Sequence, residues 1–299
     1  EKEKNCRKRK KEKEKNRKKI KRTTLNIWSN RKKIHYSTKK IKRKCRIMMK
    51  KEEFRWLSIA DAVEKGQKKS KVKRSECFLS LSYSNKKLKD NKEVKFIQWN
   101  IPAVETCPFR TEMCGGVDKN GKNCKCYAKK AENMYPSVRN RRKICLELSK
   151  DDEFVEIMSK QIEFELARTK KKIFFRIHES GDFYNYEYLE KWHKITEKFV
   201  GNDRIVFMAY TKSLPYFDKL YQKYGKNNVN IKVLSSIWAD TKKEMVELTR
   251  KLGLEVYTAD EDVEKFVEKN KNFEVCDCSD CGKCRKCYES NISLVVKIH

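Results

Sequence analysis

Nine cysteines of this chain fall into two groups with a spacing that hydrophobic packing does not demand. Near the C-terminus, Cys276, Cys278, Cys281, Cys284 and Cys287 stand within twelve residues. In the middle, Cys107, Cys114, Cys124 and Cys126 bracket a segment of Gly, Asn and Lys. Thiolates gathered on one turn of chain bind soft or borderline metals. Cys281-x2-Cys284-x2-Cys287 has the tight spacing found around cubane clusters, with Cys276 or Cys278 as fourth ligand; zinc ribbons leave a longer gap between two pairs. Spacing does not separate the metals at the central group. An iron–sulfur cluster is the expected cofactor and zinc the alternative.

Between the groups lies His178-Glu179-Ser180-Gly181-Asp182, where three side chains able to exchange protons or bind metal follow a strand directly. That composition fits a catalytic or substrate-binding loop. The competing reading has Asp182 capping the next helix and His178 buried with its hydrogen bonds satisfied. After the following strand, Tyr210-Thr211-Lys212-Ser213 offers Lys212 to an anionic group at a helix N-terminus. One strand later comes Ser235-Ser236. His178, Glu179, Asp182 and Lys212 are the candidate catalytic residues, and Tyr210 and Ser235 the candidate cofactor contacts.

The elements that must position these residues alternate. Val94–Trp99 reads as a strand ending before Pro102. Phe154, Ile157, Met158, Ile162 and Leu166 share one face of a helix capped by Asp151 or Asp152. Strand 173–177 and a helix carrying Leu189, Trp192 and Ile195 follow, then strand 204–210 and a helix capped by Ser213 that ends at Gly225. Strand 231–234 leads to a helix opened by a Thr241/Glu244 capping box. One more strand, 254–257, and a helix around Phe266 complete the series. Residues 77–150 are less regular. The alternation predicts an α/β fold with mainly parallel strands, a partial or complete α/β barrel, whose sites lie at the C-terminal strand edge. The C-terminal cysteine run, coming after the last helix, is expected to close the open barrel end over the central cysteine loop.

Composition bounds the rest. The net charge is +32, of which residues 1–50 carry +20. That tail lacks apolar anchors and is expected to be disordered. It is either a phosphate-gripping arm or sequence translated ahead of a start at Met48 or Met49. The organisation expected is a basic tail (1–48), an α/β domain (49–275), and a cysteine-rich metal-binding segment with a final strand (276–299). No stretch is long and apolar enough to span a membrane and no apolar leader opens the chain, so a soluble cytoplasmic protein is expected. In a reducing compartment, thirteen cysteines read as metal ligands and core residues rather than disulfides.

Several stretches together resemble the phage family named for its gene product 88 domain. They are Leu79–Leu88, Ile101–Pro108, Cys126-Tyr127-Ala128, Tyr135–Arg139, His178–Phe183, Tyr188–Trp192, Tyr210–Ser213 and the final cysteine run. The resemblance covers roughly residues 77–290 and supplies no reaction. Its layout is similar to that of radical S-adenosylmethionine enzymes, which implies S-adenosylmethionine as a further cofactor. Here six residues separate Cys107 from Cys114 and eleven separate Cys114 from Cys126, a departure from the compact triad of those enzymes. Cys124 stands in the inserted segment as an extra or substitute ligand. The function expected is a phage or mobile-element metal-binding protein with redox or radical-type chemistry on an unknown substrate. The alternative is a zinc-stabilised module that binds nucleic acid through its basic surface and tail.

Overall fold

The computed structural model describes residues 81–298, apart from 84, 86, 87, 116–124, 278 and 279. The basic tail, Cys124 and Cys278 therefore lie outside the described residues. Seven strands form one sheet: β1 (Val94–Trp99), β2 (Lys172–Ile177), β3 (Ile205–Thr211), β4 (Lys232–Ser236), β5 (Glu255–Asp260), β6 (Phe273–Val275) and β7 (Ser293–Lys297). Their order is β1-β2-β3-β4-β5-β7-β6, and every pair is parallel.

A mixed α/β architecture on parallel strands is thus what the sequence forms. The complete barrel is not: β1 and β6 are the two ends of the sheet, and β7 enters between β5 and β6 instead of extending the series. On its outer side, among the described residues, β1 makes only an antiparallel bridge, Gln98 to Ser82.

Ten helices are described. Four precede β2: α1 (Glu112–Gly115), α2 (Tyr127–Met134), α3 (Pro136–Lys150) and α4 (Phe154–Arg168). Then α5 (Tyr186–Glu197), α6 (Leu214–Tyr224), α7 (Lys243–Lys251) and α8 (Val263–Lys269) lie between successive strands. Two single turns, α9 (Cys281–Cys284) and α10 (Lys286–Glu289), lead into β7.

The strands are apolar on both faces, as parallel strands buried on both sides must be. Side chains alternate between faces. Trp99, Phe175 and Phe207 meet the helices: Trp99 packs on Phe154 of α4, Phe175 on Trp192 of α5, and Phe207 on Phe199. Phe96, Phe174, Met208 and Leu234 occupy the opposite face, which the C-terminal segment covers with Cys287, Tyr288 and Leu294. Tyr288 stacks on Phe174 with ring centroids 4.4 Å apart and an interplanar angle of 18°. Truncating a buried Phe of this kind typically costs about 3–5 kcal/mol.

Helix ends show where local chemistry was read correctly and where it was not. Gly225 ends α6 at φ +84°, its N–H bonded to Tyr221 O at 2.8 Å. The capping box at Thr241 and Glu244 does not form. Lys242 is the N-cap of α7, and Thr241 Oγ1 instead accepts from Trp238 N at 2.7 Å. Ser213 stands at the N-cap of α6 as read, but its side chain makes no capping bond; its Oγ donates to Phe183 O at 2.9 Å, a tertiary bond that no local pattern reveals.

Candidate functional site

The chain leaves β1 into the loop that carries Cys107, passes through α1 with Cys114, and reaches Cys126, the extended N-cap residue of α2. A buried ion pair holds this loop to α2 and α3. Glu132, 1% exposed, accepts from Ala103 N at 2.7 Å and from Arg142 Nη1 at 3.1 Å. Arg142 Nη1 also donates to Ala128 O at 2.9 Å. Ile101 N bonds Ser180 O at 3.1 Å, fastening the loop to the turn after β2.

That turn needs Gly181. Its φ is +83°, and a Cβ there would stand 2.4 Å from Ile101 Cγ1 and 2.6 Å from Thr106 Oγ1. Only a residue without a side chain permits so close an approach.

Three thiols lie near the strand ends. Cys114 hydrogen-bonds to the Cys126 sulfur, and Cys107 lies within electrostatic reach of both. The Cys114 bond holds the Cys126 thiol below its ordinary range, helped by the backbone N–H groups of Lys129 and Ala128 at the start of α2. Burial, with the nearby Asp182 carboxylate, pushes the Cys107 thiol up.

Asp182 is buried and accepts three hydrogen bonds, from Thr211 Oγ1 at 2.6 Å, Lys212 N at 2.8 Å and Phe183 N at 2.8 Å. It does not cap α5, a role taken by Asn185, which accepts from Tyr188 N. Desolvation raises the Asp182 carboxyl above its usual range. Lys212 points its Nζ to Ser236 O (2.8 Å) and Ser236 Oγ (3.0 Å), over the Trp238 ring at 5.2 Å. Burial lowers the Lys212 ammonium, while Cys114, Asp182, Asp240 and Cys107 act to keep it charged. Asp240 Oδ2 accepts from Met113 N at 2.7 Å, so the loop after β4 touches the cysteine segment directly. Loops following β1, β2, β3 and β4 therefore meet at one edge.

The other candidates sit elsewhere. His178, at φ +69°, is buried in the aromatic layer beneath α5, its ring edge-on to Phe183 and its Nε2 2.8 Å from Tyr188 Oη. Trp99 Nε1 donates to that same hydroxyl at 3.0 Å. Glu179 Oε1 accepts from Asn85 Nδ2 at 3.1 Å, and Glu179 O from Tyr127 Oη at 2.6 Å. Tyr210 lies on the face opposite the helices, its ring 4.4 Å from that of Tyr257 and tilted by 38°, with its hydroxyl bonded to Cys287. Ser235 faces α7, its Oγ 2.8 Å from Thr249 Oγ1, and is not part of the edge.

The C-terminal cysteines do not close over the central loop. Arg285 pairs with Glu93, Glu289 with Lys172 at 2.9 Å, and Ser290 O with Lys232 Nζ. These partners begin or precede β1, β2 and β4, so the run lies at the opposite end of the strands. Cys287 is buried against the sheet, Cys276 and Cys281 pack beside it, and Cys284 is exposed. The seam fills by packing because the segment must carry Tyr288 onto Phe174 before entering the sheet as β7.

Among the described residues, no three His, Cys, Asp or Glu side chains converge closely enough to hold a single metal ion. Glu132, Arg142, Trp238 and Asp240 shape the edge without any motif announcing them. Arg176 carried a signal, as the one charge inside Ile173-Phe-Phe-Arg-Ile177. Among the described residues, no helix is long and apolar enough to cross a membrane. A family model described as gene product 88 matches residues 74–290. No curated protein and no solved structure matches the chain.

Proposed function

Since this chain belongs to the gene product 88 family, whose model covers residues 74–290 and with them both cysteine groups, we propose that it is an iron–sulfur protein with redox or radical-type chemistry at this edge. The observation that carries the reading is that Cys107, Cys114 and Cys126 lie within electrostatic reach of one another, with Lys212 and Asp182 beside them, where loops from four strand ends come together.

The donor set fits such a group. Three thiols are present, and Cys126 is already biased toward the thiolate that ligation requires. A lone zinc ion draws its ligands to one point, about 2.3 Å from each sulfur. A cluster spreads its ligands over several irons, so its thiols need not converge on a single point. When bound, a cluster of this kind supplies one-electron chemistry and, through an iron without a protein ligand, a place for a sulfonium cofactor such as S-adenosylmethionine.

The chain's own residues have separate tasks in this reading. Cys107, Cys114 and Cys126 ligate. Lys212, held by Ser236, offsets thiolate charge, and Asp182 fixes the backbone of Lys212 in place. The consecutive order β1 to β5 supports a partial barrel, with helices on one face and substrate approaching the C-terminal edge of the strands.

Protein purified without oxygen should be brown, with the visible absorption of thiolate-bound iron. A colourless preparation holding stoichiometric zinc and no iron, even after reconstitution, would overturn the proposal.

A further inference from the structure

Arg176 pairs in register with Gln98 on β1 and with Met208 on β3. Phe174, two residues earlier, stacks on Tyr288, so Arg176 projects from the same face, away from the helices. Its guanidinium lies over the Tyr210 ring at 4.7 Å, and Tyr127, Glu179 and Tyr288 are within electrostatic reach. Among the described residues Glu179 forms no ion pair with it, and its Oε1 accepts from Asn85 Nδ2.

Arg176 Nε is sealed from solvent and has no hydrogen-bond partner among the described residues, and the same is true of Tyr288 Oη and Gln98 Oε1. Two donors and an acceptor are thus left unmatched on one face. Buried polar groups without partners are costly, and buried charges are normally paired. Tyr127, an exposed residue, borders the patch. It directly follows Cys126, which joins the patch to the thiol edge.

We propose that this face binds a small organic ligand through one carboxylate, with Arg176 as the clamp and Tyr288 Oη as a second donor. A planar guanidinium matches a carboxylate bidentately. One cation with a glutamate beside it offsets a single negative charge, which disfavours a doubly charged phosphate. Gln98 Oε1 calls for a donor elsewhere on the ligand, such as a hydroxyl or amine. The inference names the substrate class for the site above and rests on that reading only in joining Arg176 and the cysteines into one site.

The test follows arginine Nε–H signals by 15N-edited NMR on the full chain, with iron measured in the same samples. Acetate and benzoate are titrated beside their neutral counterparts acetamide and benzamide, and beside inorganic phosphate. The signal missing from Arg176→Lys should move saturably with the acids and not with the amides, and Tyr288→Phe should weaken acid binding several-fold. Equal response to the amides, no saturable response to either acid, or tighter binding of phosphate would each overturn the proposal. Iron content separates this outcome from failure of the metal reading, because carboxylate binding at Arg176 does not require iron.

Discussion

Asp182 Oδ2 accepts the backbone N–H of Lys212 at 2.8 Å, while the Lys212 side chain runs on to Ser236. One carboxylate thereby ties the turn after β2 to the end of β3 and sets the direction in which the lysine leaves the strand. Asp182→Ala strands three buried donors and should cost about 3 kcal/mol of stability. Asp182→Asn should also destabilise, because the amide that replaces Oδ2 confronts another N–H. Urea titration measures both. Neither variant should lose iron, since Asp182 positions the edge and does not ligate.

The Glu132–Arg142 pair is the hinge-pin of the cysteine loop. Glu132→Ala leaves a buried guanidinium with Ala128 O alone and frees Ala103 N, a loss expected to reach about 3–5 kcal/mol. Iron content should fall with it, because Cys126 opens the helix that Glu132 anchors. Glu132→Gln keeps an acceptor for Ala103 N and should be the milder change in both assays.

His178 provides the pH dependence. Burial, aided by the charge of Arg176, lowers its pKa from 6.5 to about 3 in the folded chain. The unfolded chain therefore binds a proton below about pH 6.5 that the folded chain refuses, and stability falls as pH drops from there toward 3. The slope from this group approaches about 1.4 kcal/mol per pH unit. His178→Gln should flatten the fall measured by urea titration at pH 7, 6, 5 and 4. His193, also lowered by burial, contributes in the same direction and remains in the variant. Iron should be retained; its loss would make His178 a ligand.

The parallel sheet was legible because Ile173–Ile177 and Ile205–Tyr210 are apolar runs bounded by helical periodicity. The gathering of Cys107, Cys114, Cys126, Asp182 and Lys212 at one edge was legible, because they follow strands whose C-terminal ends must coincide in any parallel sheet. What escaped depended on distant partners. His178 looks reactive in sequence, yet its ring turns toward Tyr188, because the residue after a strand can face either layer. The capping sequence at Thr241 was outcompeted by a turn to Trp238. The place of β7 between β5 and β6 follows from Tyr288 packing on Phe174, a contact between residues 114 positions apart in the chain.

The central claim is best tested by iron and acid-labile sulfide per chain, measured after anaerobic purification of the wild type and of the Cys107→Ser, Cys114→Ser, Cys126→Ser triple variant. The account predicts iron and sulfide in the wild type and a clear loss of both in the variant, with the fold retained by circular dichroism. Equal iron in the two proteins, or zinc without iron in the wild type, would contradict it.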